Sequence, residues 1–439
     1  MATNGTMVFR CRKMLKESIN VRIENRNVKD MSLTFQQGGK LMKTAKKRSF
    51  ALVFSLLVVS LSVSACGSSN TASSSASTAA KASKSTVGGA TTVPQNIVSQ
   101  ARTEIAKYTA IPAFTPPGSP IVASKLKGKT VMVVEDNTVA DALVQITKGI
   151  QAAGQLLGIN VLTYNGQNIV STIEQGVQQG INQKVDALML VGIATSLVPS
   201  SVAAADAAKI PVISVLPSQP NLTAPGQGYG NGIFGGSGPS YTELGRLMAD
   251  TAIVDSNGGP INSAAIDFNN PGELAVIGGI KSVFSNCPYC KILTTQDIEP
   301  QNWATKITGA TSALILANPN LNYIFPTADT MAIFAVPGVT QAGAAGKVSV
   351  VTEDGDSGVL SLIQKGTVLA ADPGYSTPWI GWEAMDQALR AMSGMQPGNP
   401  VVPIRYLDKS NLTGVNVTSL STLYGNAYIA GYKKLWGLA

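Results

Sequence analysis

Histidine is absent from all 439 residues. That absence removes every Ser–His or Cys–His nucleophile pair and every His-ligated metal site, together with the commonest general acid–base group. Cysteine is scarce, with four in the chain, and no G-x-x-x-x-G-K-[ST] phosphate loop occurs. Charged residues are few as well, at 13%. An enzyme built on this chain would have to work with carboxylates, Lys or Tyr, so the composition speaks against most hydrolases. The formal net charge of +8 suggests nucleic acid at first sight, but it is unevenly placed. Residues 1–65 hold 12 Lys/Arg against 3 Asp/Glu, which leaves 21 basic and 22 acidic residues in the remainder. The basic excess is a property of the leader, and no nucleic-acid role follows.

The leader itself is informative. Lys43, Lys46, Lys47 and Arg48 precede an apolar run, Phe50–Val63, that is shorter than the roughly 20 residues a membrane-spanning helix needs. It ends in Val63-Ser64-Ala65-Cys66-Gly67, which resembles the bacterial lipobox. The resemblance implies a signal peptide over 42–65, cleavage before Cys66 and lipidation of its thiol. Residues 1–41 fit no leader pattern, and Met42 is the expected start, with 1–41 as translated upstream sequence. Residues 66–94 are almost entirely Ser, Ala, Thr and Gly, a composition that buries too little apolar surface to fold and makes a disordered tether. A helix over 97–108 and a proline-rich stretch, IPAFTPPGSP, form a lead-in over 95–125 that is expected along the outside of the fold.

From Lys129 short apolar runs alternate with helical periodicity. Thr130–Val134 reads as a strand, and Leu143, Ile146, Ile150, Ala153 and Leu157 recur at three and four residues. Further strands are expected at 159–164, 187–191 and 211–215. The rhythm breaks over 217–238, then resumes with a helix at 240–254 and strands near 264–268, 292–295, 323–325, 348–352 and 368–371. Strands apolar throughout belong in parallel sheets covered on both faces. The fold class is therefore α/β, with two doubly wound parallel-sheet lobes. Ligands in such sheets bind beyond the carboxyl ends of the strands.

The stretches TVMVVEDNT, IPVISV (210–215), NPNLNYIF (318–325), ADTMA (328–332), VSVVTEDG (348–355) and WIGWEAMDQALRAMSG (379–394) resemble the periplasmic sugar-binding proteins of the ribose-binding type. The resemblance spans about 127–407 and implies a type I periplasmic binding protein fold with three hinge crossings, placed near 256–262, 373–376 and 396–402. It assigns 126–258 plus 375–398 to an N-terminal lobe and 259–374 plus 399–439 to a C-terminal lobe. It also implies a non-enzymatic, monomeric lipoprotein on the extracytoplasmic face of the cell membrane. Such a protein captures a small polar ligand, a sugar or polyol, and delivers it to an ABC permease driven by a separate ATPase. Alternatives are a ligand-presenting sensor subunit and an extracellular thiol–disulfide protein. No cofactor or metal is implied.

Strand ends supply the candidate ligand-binding residues Asp136, Asn137, Asn270, Asp329, Asp354 and Tyr375, and the resemblance adds Trp303 as an aromatic ring against a sugar face. Several residues of the ribose-binding pattern are replaced: Leu216-Pro217 stands where an Asp-Arg pair is usual, Leu274 where an Arg is, and Ala328 where an Asn is. Cys287-Pro-Tyr-Cys290 matches a glutaredoxin motif but follows a helix rather than opening one, so a structural disulfide is expected.

Overall fold

A computed structural model describes residues 92–216, 232–399 and 402–438, and the backbone alone of 20–26, 30–37 and 40–42. Three short strands, β1 (Asn20–Arg26), β2 (Asp30–Gln37) and β3 (Lys40–Met42), pair antiparallel in a separate unit. The apolar leader, Cys66 and the Ser/Ala/Thr segment as far as 91 lie outside the described residues.

The main unit opens with α1 (Gln95–Ala106). The first sheet follows: β4 (Thr130–Glu135), β5 (Asn160–Asn165), β6 (Ala187–Val191), β7 (Val212–Val215) and β8 (Ile233–Ser237), all parallel in the order β5-β4-β6-β7-β8. Its helices are α2 (Asp141–Leu157), α3 (Val170–Asn182) and α4 (Pro199–Ala207). After α5 (Tyr241–Asp255) comes the second sheet, β9 (Ile261–Asp267), β10 (Cys290–Asp297), β11 (Tyr323–Pro326), β12 (Ser349–Val351) and β13 (Leu369–Tyr375). It is parallel in the order β10-β9-β11-β12-β13, with β14 (Ile404–Asp408) antiparallel at the edge. Its helices are α6 (Pro271–Phe284), α7 (Trp303–Ala317), α8 (Asp329–Gln341) and α9 (Ser357–Gln364). The chain ends with α10 (Thr377–Met392), α11 (Lys409–Leu412), α12 (Leu420–Tyr424) and α13 (Ala427–Leu435).

The central strands are buried on both faces because they are apolar at every position. All five residues of β6 are buried, as are Val131–Val134 of β4. Each sheet has a core on either side, so the two lobes are separately packed bodies. In both sheets the order reverses around the first strand, β4 or β9. The connections leaving that strand and its neighbour diverge and open a crevice at the strand ends.

Three crossings join the lobes. The first comes earlier than 256–262, because the chain leaves the first sheet at Ser237 and α5 packs on α6, α1 and β13. Leu244 and Leu247 of α5 still touch the first core, while Met248, Ala249, Ala252 and Ile253 fill the second lobe. The glycine-rich β8, IFGGS, occupies what the sequence suggested was a loop. Its missing side chains leave room for Gln387 of α10, whose Oε1 would lie 3.0 Å from a Cβ at Gly235. The second crossing runs from β13 into α10, and the third from α10 to β14.

The two ends of the unit add passages of their own. Val98 and Ala101 of α1 pack in the second lobe, yet Ile121, Ala123 and Leu126 lie in the first core. Between them the proline-rich stretch follows the crossings: the Tyr406 N–H donates to Tyr108 O (2.8 Å) and the Asn399 N–H to Pro117 O (2.7 Å). At the other end, Leu423 and Tyr424 of α12 fill the second core, whereas Tyr428, Tyr432, Leu435 and Trp436 fill the first. The assignment of 399–439 wholly to the C-terminal lobe is therefore corrected. The aromatic face of α13 stacks on Trp379 and Trp382 of α10, with the Trp382 and Trp436 rings 5.3 Å apart.

Helices α5 and α6 cross in close contact through glycine. A Cβ at Gly279 would overlap the Thr242 carbonyl oxygen, whereas the neighbouring Gly278 faces open space. Gly279→Ala is expected to destabilise the protein by about 1–3 kcal/mol. Gly278→Ala is expected to stabilise it by up to about 1 kcal/mol through helix propensity alone. Urea unfolding of the two variants checks the pair, and equal effects would contradict the packing.

Candidate functional site

Five of the ten buried charged residues among those described, Glu135, Asp267, Asp329, Glu353 and Asp372, lie in or just after the strands toward their carboxyl ends. On the first lobe, β4 ends in Glu135, which is buried, and Asp136 and Asn137 follow it half-buried. Burial raises the pKa of both carboxyls. Asn137 Oδ1 accepts from the Val139 and Ala140 N–H groups (both 2.9 Å), and its Nδ2 donates to Asp136 (2.9 Å). Asn137 thus shapes the turn into α2 and orients Asp136.

On the second lobe Asn270 caps α6, accepting from the Gly272 N–H at 3.0 Å. Trp303 donates its indole N–H to Ile298 O (2.7 Å) and packs edge-on against Phe268, ring centroids 5.3 Å apart. The two rings form a half-buried aromatic step beyond β9.

Asp329, Asp354 and Tyr375 come together directly. The Tyr375 hydroxyl donates to Asp354 Oδ1 (2.5 Å), and the Asp329 backbone N–H donates to Asp354 Oδ2 (3.2 Å). Asp329 Oδ2 accepts from the Asp356 N–H (2.6 Å), and Asp372 Oδ1 from the Gly355 N–H (3.1 Å). Asp354 has φ +123°, a region that side chains other than glycine rarely enter. Such backbone costs about 1–3 kcal/mol and persists only where surrounding contacts over-determine it. Here a bridge to Gly374 and the Tyr375 hydroxyl do so. Tyr424 arrives from the C-terminal passage and sets its hydroxyl between Gly355 and Gly374, where a Cβ on either would collide with it.

Glu353, just beyond β12, and Asp372, midway along β13, are buried carboxyls on the same wall; Asp356, Tyr241 and Tyr424 complete it. Tyr241 and Tyr424 had no strand-end signal in the sequence: Tyr241 opens α5, and Tyr424 lies in a region without strand or helix periodicity, whereas Asp356 shares the loop after β12 with Asp354. Burial raises the pKa of Asp329, Glu353, Asp354 and Asp372, and the charges of their neighbours raise it further for all but Asp354. Asp356 is pushed up to about 7 by burial, then by Asp354 and by Asp141 at the start of α2. The influence of Asp141 spans the gap between the lobes. The Tyr241 hydroxyl holds its proton through burial and the charges of Glu273, Glu353 and Asp354.

Two sheets of this order, joined by crossings and with buried carboxyls gathered toward their carboxyl ends, can be compared directly with known proteins. The periplasmic binding protein domain family matches residues 131–396. The chain belongs to that family. Solved structures share the fold of this periplasmic binding protein domain. An ABC sugar transporter subunit from Rhodobacter sphaeroides 2.4.1 is 18% identical, with TM-score 0.58, covering 65% of this chain and 99% of the other. A periplasmic solute binding protein from Actinobacillus succinogenes 130z, solved with bound D-allose, is 22% identical with TM-score 0.56 over 65% and 99% of the two chains. A solute binding protein from Mycobacterium smegmatis, solved with bound glycerol, is 20% identical with TM-score 0.58 over 66% and 96%. Comparison with curated proteins gives no match.

Cys287 and Cys290 are bonded, with Cα atoms 5.3 Å apart, and both are buried in the core under α6. Cys290 opens β10, so the pair lies at the end of the sheet opposite the carboxyl ends of its parallel strands. No helix among the described residues is long and apolar enough to cross a membrane.

Proposed function

We propose that this protein is an extracytoplasmic solute-binding lipoprotein that holds a small hydroxylated ligand, of the sugar or polyol class, between its two lobes. In this reading it acts without catalysis and presents the closed form to an ABC permease with a separate ATPase. The observation that carries the reading is the convergence of Asp329, Asp354 and Tyr375 on one cleft wall, with Asp354 held in a strained backbone conformation. Carboxylates accept hydrogen bonds from ligand hydroxyls, and the Trp303–Phe268 step offers an apolar surface for C–H faces. Asp136, across the cleft and oriented by Asn137, supplies an acceptor from the first lobe. Asn270 serves mainly by fixing the start of α6.

Cys66 is proposed as the lipidated mature N-terminus, and residues beyond it as the tether to the membrane. The buried position of Cys287 and Cys290, away from the cleft, favours a structural disulfide over a redox function.

A thermal-shift screen against sugars, polyols, amino acids and nucleosides tests the reading, because a ligand specific for the native state raises the melting temperature by mass action. At least one hydroxylated compound is expected to shift it. The Trp303→Ala/Asp354→Ala variant is expected to lose that shift, with affinity reduced at least about a hundredfold. A screen in which no polar small molecule stabilises the protein would remove the solute-binding assignment.

A further inference from the structure

The second-lobe wall combines many acceptors with no cation. Asp329, Glu353, Asp354, Asp356 and Asp372 crowd around the ends of β11 and β12 and the middle of β13, and Glu273 adds its charge from α6. None of the ion pairs among the described residues includes any of them. Arg405, whose charge reaches Tyr424, is committed to the backbone carbonyls of Leu423 and Thr109.

Independent of the charge, several buried polar atoms here are poorly satisfied. The Tyr424 hydroxyl and Glu273 Oε2 have no partner, and no N–H or hydroxyl reaches Asp329 Oδ1, Glu353 Oε2 or Asp372 Oδ2; there Asp329 meets Asp372, and Glu353 meets Asp354, as carboxyl against carboxyl. Asp329, Glu353, Asp372 and Tyr424 are each at most 1% exposed. Leaving such a group unsatisfied costs about 1–3 kcal/mol, and more when it is charged. The carboxylates do not converge as a metal site, since among the described residues no group of three or more acidic side chains has that arrangement.

Hydroxyls donate once and also need donors for their own lone pairs. A protonated amine has three donors and no acceptor, and it carries the missing charge. Starting from the solute-binding reading above, we infer that the ligand bears a cationic amine as well as hydroxyls, and that the amine seats against Asp354, Asp356 and the facing carboxyls of Asp329 and Asp372. The ligand class is an amino sugar or amino polyol rather than a neutral one.

The groups facing this wall from other elements are Asp141 of α2, Tyr241 of α5, Glu273 of α6, Tyr375 of β13, Tyr424 of α12 and Arg405 of β14. All but Arg405 are acids, so an arriving cation favours the ionised carboxylates. Binding is then accompanied by proton release and tightens as the pH rises from 5 to 7.

Calorimetric titration of the full chain with matched pairs tests this: D-glucosamine and D-glucose, D-galactosamine and D-galactose, serinol and glycerol. Titrations in two buffers of different protonation enthalpy at pH 6 and pH 7 count the protons. An amine is expected to bind at least about tenfold more tightly than its neutral partner and to release protons. Asp356→Asn, and separately Asp354→Asn, are expected to reduce that preference severalfold or more. Equal or tighter binding of the neutral members, or a preference that survives both substitutions, overturns the amine assignment and leaves the solute-binding reading standing. No binding by any member counts against both.

Discussion

Arg390→Ala is expected to lower the unfolding free energy by about 3–5 kcal/mol. Arg390 Nε donates to Asp386 Oδ2 at 2.7 Å, and both side chains are almost wholly buried. Trp436 Nε1 donates to the other Asp386 oxygen at 2.8 Å, and an Arg390 terminal nitrogen donates to Ser119 O at 3.2 Å. One ion pair on α10 therefore fastens the lead-in and the C-terminal passage to the first lobe. Burial raises the Asp386 pKa even against the opposing Arg390 charge, so removing the cation leaves a carboxyl with little reason to stay ionised. The cost is that of stranding a buried acid rather than the worth of the pair itself. Arg390→Met with Asp386→Leu is expected to recover much of the loss, because an apolar pair has nothing to desolvate. Equilibrium urea unfolding measures both, and a loss below about 1 kcal/mol for Arg390→Ala would contradict this reading of the contact.

Acidification from pH 7 to pH 5 is expected to stabilise the ligand-free protein. Asp250 and Asp356 both have pKa values pushed up to about 7, each chiefly by burial. A carboxyl whose folded pKa exceeds its unfolded value makes the native state the better proton binder. Its contribution is complete below the ordinary carboxylate range near pH 4 and is lost as the pH rises toward 7. Each such group changes stability by at most about 1.4 kcal/mol per pH unit within that window. Asp329, Glu353 and Asp372, raised in the same direction, act with the same sign. Unfolding midpoints at pH 5, 6, 7 and 8 check it. Asp250→Asn and Asp356→Asn are expected to flatten the slope, and a midpoint that rises from pH 5 to pH 7 would contradict it.

Much of this architecture is legible in the sequence because its strands are apolar throughout. Ala187–Val191 and Val131–Val134 have no polar face to confuse the period, and the helix between them repeats cleanly from Leu143 to Leu157. The cleft wall is half legible. Asp329, Asp354 and Tyr375 follow from the rule that function gathers at strand ends, and the structure brings those three together. The same rule picks out Asn137 and Asn270, whose side chains accept from the backbone of the turn into α2 and from the first turn of α6. Strand-end position does not distinguish a cap from a ligand contact, since both need a short polar side chain there. Tyr424 is invisible to the rule because it reaches the cleft from a distant stretch, through a chain path that no local pattern encodes. Strand β8 is missed for a different reason: two glycines in five residues resemble a turn, and only the presence of Gln387 opposite explains Gly235.

The start of the folded unit has a mechanical meaning. The Val93 N–H donates to Gly258 O at 2.8 Å, just before β9, at the end of the second sheet that faces away from the cleft. From there α1 lies along α5 before the chain turns toward the first lobe. A pull on residue 92 is therefore borne first by the second lobe. The first lobe is joined to it through the crossings, the lead-in and the C-terminal passage, so a force applied at residue 92 reaches that lobe only along those paths.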